Sequence, residues 1–416
     1  MKKISFITLG CKLNYAETST YERELLREGF EAVPWNRGAD VFVVNTCTVT
    51  EHSDKKSRNI IRKLHRQNPE AYIYVTGCSA QLRRTDYEAI EGVRRVFGAT
   101  EKSAVVPSIL ADVRGADCCG QGVGTFFPAY SSGERTRSFL KVQDGCDYKC
   151  HYCTVPYARG ESRNIPISEI IPQAEAIAAQ GIKEIVLTGV NTGDFGRSTG
   201  ESFFELIKQL NDVEGIERYR ISSIEPNLLT EEMIDWITSG TKFLPHYHIP
   251  LQSGCDTILR EMGRRYDTAA FAHKIQYIRE RSEVPGGPRV FFGIDVIVGF
   301  PGETDELFEE TYTFLRDVVR PAFIHIFPYS RRAGTPAAER KDQVQDSVKT
   351  LRVQRLEALC AELHAEFVEA NKGVKEKVLF ESTDRHGMME GYTGNYIRIS
   401  RPFDSALINN IVDIVI

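Results

Sequence analysis

Gly145-Cys146-Asp147-Tyr148-Lys149-Cys150-His151-Tyr152-Cys153 places three cysteines at spacings of four and three on one short loop. Thiolates are the usual ligands of iron–sulfur clusters, and three of them on one loop can hold three corners of an iron–sulfur cube. The count decides the chemistry. An electron-transfer cluster closed by protein takes four cysteines, and a structural zinc site takes four ligands, usually in paired spacings. With three, one iron keeps an open position for a substrate or cofactor. His151 lies between two of the cysteines on so short a loop that it can hardly reach the same metal.

Working outward, the run 139–142 leads into this loop as a strand. A helix is expected over 166–180, then strands over 184–187, 219–224, 246–251, 290–298 and 323–327, with amphipathic helical stretches between them. Six βα units of this kind suit a partial (β/α)6 barrel, whose active site lies at the carboxyl ends of the strands. Gly189 and Asn191 follow the second strand, Ser222 and Glu225 belong to the third, and Gln252 and Ser253 follow the fourth. Gly299 opens the segment 299–304 after the fifth, and 329–335 follows the sixth. Turn chemistry explains the glycines and prolines there about as well as ligand approach does.

Ahead of the barrel, strands are expected over 4–9, 41–44 and 72–75, with helices over 14–28 and 54–67. Strands alternating with helices read as a doubly wound parallel sheet. Cys11, Cys47 and Cys78 each lie just past the carboxyl end of one of these strands. Those ends line one edge, where open α/β sheets bind ligands, so the three thiols can converge on one site. A free cysteine is commonly a small buried hydrophobe, but that does not account for the repeated strand–cysteine placement.

Between about 98 and 137 the pattern weakens, and 115–133, rich in glycine and serine, reads as a linker and surface loop. Its vicinal pair Cys118-Cys119 is given no function, because adjacent cysteines cannot easily bind one metal with ideal geometry. Residues 337–371 form one long helical stretch in which Cys360 falls among apolar positions; it reads as core, as does Cys255. After Gly373, strands over 374–381, 388–400 and 408–416 make a small all-β module. The expected division is 1–134, 135–370 and 371–416.

The 416 residues are 42% hydrophobic and 26% charged, as in soluble globular proteins, and the formal net charge of −5 means that any nucleic acid must be held by local patches. There is no run of about 18 apolar residues and no charged-then-apolar leader, so neither a membrane span nor a secretory signal is expected. Ten cysteines in such a chain argue for metal or redox chemistry in a reducing compartment, with the cytoplasm as the default location.

The Cys-x3-Cys-x2-Cys spacing resembles the signature of the radical S-adenosylmethionine enzymes. In that family the open iron chelates the methionine part of the cofactor, and an electron from the cluster cleaves the sulfonium to a 5′-deoxyadenosyl radical. With a three-cysteine sheet domain before this loop and a small β-domain after it, the whole chain resembles the methylthiotransferases, which insert sulfur and a methyl group at an unactivated C–H bond. The resemblance implies two [4Fe-4S] clusters, a radical-generating one on Cys146, Cys150 and Cys153 and an auxiliary one on Cys11, Cys47 and Cys78. It also implies S-adenosyl-L-methionine as cofactor, with Gly189, Asn191, Ser222, Gln252 and Gly299 as candidate contacts. A TRAM-like β-barrel at the C-terminus, a tRNA substrate and an external electron donor such as a flavodoxin or ferredoxin complete the expectation.

Within the family, Thr8-Leu9-Gly10-Cys11-Lys12-Leu13-Asn14 and the run from Cys150 to Gly160 resemble the branch that modifies N6-threonylcarbamoyladenosine beside the tRNA anticodon. The alternatives are isopentenyladenosine in tRNA, an aspartate of a ribosomal protein, and a non-catalytic iron–sulfur RNA-binding protein. One feature departs from a simple RNA grip: from Gly373 onward five Lys/Arg face six acids, whereas a phosphate-binding module is usually basic. Lys55, Arg58, Arg62 and Arg66 instead fall at helical spacing on one face. They are either a solvated helix face or tRNA phosphate contacts.

Overall fold

The fold comes from a computed structural model that describes residues 2–115, 126–133, 136–382 and 384–416. Cys118 and Cys119 lie outside the described residues. The chain opens with a five-stranded parallel sheet of β1 (Lys3–Thr8), β2 (Glu31–Ala32), β3 (Val41–Thr46), β4 (Tyr72–Gly77) and β5 (Val93–Val96), in the order β2-β1-β3-β4-β5. Helix α1 (Lys12–Arg27) follows β1 and helix α2 (Glu51–Gln67) follows β3. Every residue of β3 is buried, as a central strand covered on both faces requires. In this order the strand connections reverse between β1 and β3, the crevice where such sheets take ligands. Cys11 and Cys47 flank that crevice.

Six further parallel strands form the barrel wall: β6 (Arg137–Lys141), β7 (Glu184–Thr188), β8 (Arg218–Ile221), β9 (His246–Gln252), β10 (Phe291–Val298) and β11 (Phe323–Pro328). The two three-stranded halves meet where Ser223 bridges His248. Buried Leu, Ile, Val and Phe side chains between these strands and their helices make the largest core. Cys360 belongs to it, and Cys255 is buried in the neighbouring cluster, as expected for core thiols. At the C-terminus, β12 (Lys375–Phe380), β13 (Met388–Tyr392), β14 (Arg398–Pro402) and β15 (Ile411–Val415) form an antiparallel sheet in the order β14-β13-β12-β15.

Four expectations are corrected. The weak stretch after 98 is partly structured: Val105–Arg114 is a helix whose Val105, Val106 and Ile109 pack into the N-terminal core. Its short length and Pro107 hide the period. Within the expected surface loop, Ala129 and Ser131 are buried and exchange backbone hydrogen bonds with Lys141 and Phe139 of β6. This segment is wedged against α1, where Arg23 stands 3.8 Å over the Tyr130 ring. The long helical stretch is two helices, Pro336–Glu339 and Asp346–Glu369, because the Asp342 carbonyl accepts from Gly302 N and Arg340 closes on the Asp342 carboxylate. The strand expected over 388–400 turns at 393–397, where Tyr396 adopts φ 69° and Asn395 donates to the Arg289 carbonyl.

The C-terminal sheet is held against the barrel by arginines. Arg137 of β6 meets Glu381 at 2.7 Å, and Arg220 of β8 donates to the Thr393 and Gly394 carbonyls at 2.8 Å each. His246, Phe291 and Tyr396 stack beside them, so the 393–397 turn closes the barrel floor.

Candidate functional site

Strand ends set the first cysteines. Cys47 follows the last residue of β3, and Cys78 follows the last residue of β4. Cys11 caps α1 with extended backbone, no side-chain cap and no acidic residue in the first turn. The open N–H groups of that helix end favour negative charge on a nearby thiolate. Gly10 makes the approach possible. At φ +103° a Cβ there would stand 2.7 Å from Cys47 Cβ and 2.8 Å from its Sγ. Gly10→Ala should therefore displace Cys47 and lower the iron of the reconstituted protein from about eight toward about four per chain. Iron analysis beside the unchanged protein checks this.

The second loop is folded equally tightly. Gly145 has φ +72°, and a Cβ there would meet the Glu161 carbonyl at 1.9 Å. Cys146 N donates to the Gly160 carbonyl at 3.0 Å, so the loop is pinned to the end of the short helix Val155–Arg159. His151 turns away, its ring nitrogen 2.6 Å from the Glu261 carbonyl.

All six cysteines line one cavity of about 420 Å³. Within each set the thiols are electrostatic neighbours: Cys47 feels Cys11 and Cys78, and Cys153 feels Cys150 and Cys146. Burial pushes the Cys47 thiol up to about 11, and the Cys146 and Cys153 thiols up to about 12. These thiols stay protonated near neutrality until something replaces their protons, as metal binding does. N–H groups point at the sulfurs: Arg159 Nε lies 3.1 Å from Cys78 Sγ, Arg264 Nη1 lies 3.2 Å from Cys150 Sγ, and Tyr148 N lies 3.4 Å from Cys146 Sγ. Three thiols per set, each set with N–H donors on sulfur, fit iron–sulfur clusters, whose potentials such bonds tune.

The structure brings three of the five candidate cofactor contacts to this cavity: Gly189, Asn191 and Gln252 line it. Both polar atoms of the Asn191 amide are buried without a partner, which suits a polar ligand in the cavity. Gln252 holds φ 69° at an irregularity between β9 and β10, a strained backbone of the kind found at ligand sites. Ser222 and Gly299 are placed elsewhere. Ser223, not Ser222, faces the cavity, one residue out of phase along the strand. Gly299 backs onto Lys349 of the long C-terminal helix and donates to Glu303. Of the candidate RNA contacts on α2, Lys55, Arg62 and Arg66 are exposed. Arg58 is half-buried, 3.8 Å from Asp86.

A buried ionic network ties the two cysteine sets together. Arg159, just past the second set, donates to Cys78 of the first and to Asn14 at 2.7 Å, Asp144 at 2.8 Å and Glu17 at 3.3 Å. Glu17 also binds Lys102 and, at 2.9 Å, Lys141; Asp144 binds Lys141 at 2.7 Å. Burial pushes the Glu17 carboxyl up, but Lys102, Lys141 and Arg159 outweigh it and hold it well below the usual range. Asp144 is likewise held low against burial by Lys141 and Arg159. On the far rim, Arg332 from the loop after β11 reaches the buried Asp54 of α2 at 2.7 Å. Apart from Cys78, none of these residues is assigned a role by the sequence alone. The one local signal is Arg159 itself, six residues beyond Cys153.

Comparison with known proteins agrees with this architecture. Residues 140–315 match the Radical SAM superfamily and residues 3–98 match "Uncharacterized protein family UPF0004". The chain is 38% identical to the threonylcarbamoyladenosine tRNA methylthiotransferase MtaB of Bacillus subtilis, over 100% of this chain and 94% of the relative. Identity to the protein of the same name from Aquifex aeolicus is 36%, covering 96% of each. A tRNA-2-methylthio-N(6)-dimethylallyladenosine synthase of Wolbachia pipientis is 32% identical over 93% of this chain and 89% of that protein. In fold, the chain is similar to the radical S-adenosylmethionine methyltransferase TsrM of Kitasatospora setae, with TM-score 0.59, 15% identity, and 81% and 77% of the two chains covered. With its two cysteine sets on one cavity and full-length relatives at this identity, the chain belongs to the radical S-adenosylmethionine methylthiotransferase family.

Proposed function

We infer that this protein is a tRNA methylthiotransferase that adds a methylthio group to C2 of N6-threonylcarbamoyladenosine beside the anticodon. The observation that carries the reading is the convergence of two three-cysteine sets on one cavity, in a chain similar end to end to relatives named for that reaction. Cys146, Cys150 and Cys153 hold the cluster that takes S-adenosyl-L-methionine, and Cys11, Cys47 and Cys78 hold the auxiliary cluster. When bound, these groups supply the radical, the sulfur and the methyl group for a C–H bond too inert for acid–base attack.

The chain's own residues position and insulate. Gly189, Asn191 and Gln252 orient the cofactor in the cavity, and Arg264, held by Glu225, and Arg159 aim N–H groups at cluster sulfurs. Lys55, Arg62 and Arg66, on the helix that starts four residues after Cys47, take tRNA phosphates near the mouth. Residues 1–134, 135–370 and 371–416 act as auxiliary-cluster, radical and TRAM-like substrate-binding units. A flavodoxin- or ferredoxin-type donor in the cytoplasm supplies electrons. No helix among the described residues is long and apolar enough to cross a membrane.

Modified-nucleoside analysis of tRNA tests the reading. A strain lacking the gene should lose 2-methylthio-N6-threonylcarbamoyladenosine and accumulate its precursor, and the cloned gene should restore it. Unchanged nucleosides would sink this function.

A further inference from the structure

Below the cysteines lies a second cavity of about 360 Å³, bounded by Lys12, Arg137, Arg220, His246 and Tyr396. Cys11 lines both cavities, so the second begins where the first set of thiols ends. Its cations are not equivalent. Arg137 is bound by Glu381 at 2.7 Å and Arg220 by Glu184 at 2.9 Å. In the larger cavity, Arg159, Arg264 and Arg332 are likewise paired with carboxylates. Asp295, an acid on the larger cavity, is taken by His248 at 2.7 Å. Among the described residues lining the two cavities, Lys12 is the Lys or Arg side chain without a carboxylate partner.

Lys12 is also the first residue of α1, a helix of 16 residues whose opening turn has neither a side-chain cap nor an acid. The free N–H groups there add to the positive field of the ammonium. Phe139, Tyr15 and Tyr396 supply apolar wall around it. A cation without a partner, beside apolar surface and next to a cluster ligand, fits a ligand that carries one anionic group on a short aliphatic arm.

We propose that Lys12 receives the carboxylate of the threonylcarbamoyl group and thereby selects this adenosine modification. The inference rests on the function inferred above. A carboxylate entering the cavity sheds water, a cost that an unpaired cation offsets. Lys12 is exposed at the cavity edge; an uncharged isopentenyl arm in the same place covers part of its hydrated surface and gives it no partner in return, so one residue both attracts the right substrate and disfavours the neutral one. Arg137 and Arg220 do not share this role, because both are engaged in holding the C-terminal sheet.

The test uses reconstituted protein and two anticodon stem-loops of one sequence, one bearing N6-threonylcarbamoyladenosine and the other its uncharged carboxamide. Kd and kcat/KM are measured for each. The unchanged protein should favour the acid by about tenfold or more. Lys12→Met should remove that preference by losing affinity for the acid alone, and Lys12→Arg should keep most of it. Iron near the unchanged content shows that Cys11 still holds its cluster. An equal loss on both RNAs would put Lys12 on a phosphate or in the fold, and overturns the proposal. If the unchanged protein modifies the carboxamide as well as the acid, the carboxylate is not read and the proposal fails while the function stands. If it modifies neither, the function fails with it.

Discussion

Cys47→Ala should abolish the methylthio product while leaving 5′-deoxyadenosine release largely intact, whereas Cys150→Ala should stop both. The two thiols line the same cavity, yet they belong to separate frames. Cys47 hangs from β3, whose Phe42 and Val44 pack into the N-terminal core, and Cys150 sits on a loop fastened by Met262 and Gly160 in the barrel. Removing Cys47 leaves the ligands, the Arg264 contact and the Asn191 amide of the other site in place. Removing Cys150 takes away one of the three thiols proposed to hold the cluster whose open iron would bind S-adenosylmethionine. Iron should fall from about eight to about four per chain when Cys146, Cys150 and Cys153 are all replaced by alanine. Measuring both products under anaerobic reduction decides the matter. Loss of cleavage in folded Cys47→Ala, as complete as in Cys150→Ala, would show that the roles are not separate.

The largest stability effect should come from Glu17→Gln. Glu17 is fully buried and meets Lys102, Lys141 and Arg159, which reach it from the 102–104 turn, β6 and the loop helix after Cys153. Neutralising it leaves three buried cations facing Asp144, and breaking such a network by removing one partner costs about 3–5 kcal/mol. The pH dependence follows from the depressed carboxyl. Its stabilisation is fully present above the unfolded value of about 4.3 and is lost as pH falls toward the lower folded value. Denaturant unfolding of metal-free protein at pH 7 should therefore separate Glu17→Gln widely from the unchanged chain. The gap should narrow below about pH 4. A gap that is absent at pH 7, or that widens in acid, would contradict this account.

How far a residue's role could be read depended on how far away its partners lie in the chain. The grouping of Cys146, Cys150 and Cys153 on one cavity was legible because the three cysteines sit within eight residues. Cys11, Cys47 and Cys78 were legible because each follows a strand recognisable by its own apolar run, and a parallel sheet puts strand ends on one edge. The helix Val105–Arg114 was missed because a short segment with a proline near its start carries too little period to see. Ser222 is the candidate read from the sequence, yet its neighbour Ser223 lines the cavity; successive side chains near a strand end face opposite ways, so a placement one residue out exchanges the two faces.

By itself, then, the sequence determined the two cysteine sets, the order of sheet, barrel and β-module, and the kind of cofactor they need, since ligand spacing and strand alternation are local properties of the chain. Only the tertiary structure decided that both sets open on one cavity, that Arg159 joins them, and that Lys12 is the cation left over. Those facts rest on ion pairs between residues far apart in sequence, 124 positions for Glu17 and Lys141 and 278 for Asp54 and Arg332. A charge in a sequence has a sign but no partner. Folding assigns the partners, and with them which charge remains free to meet a substrate.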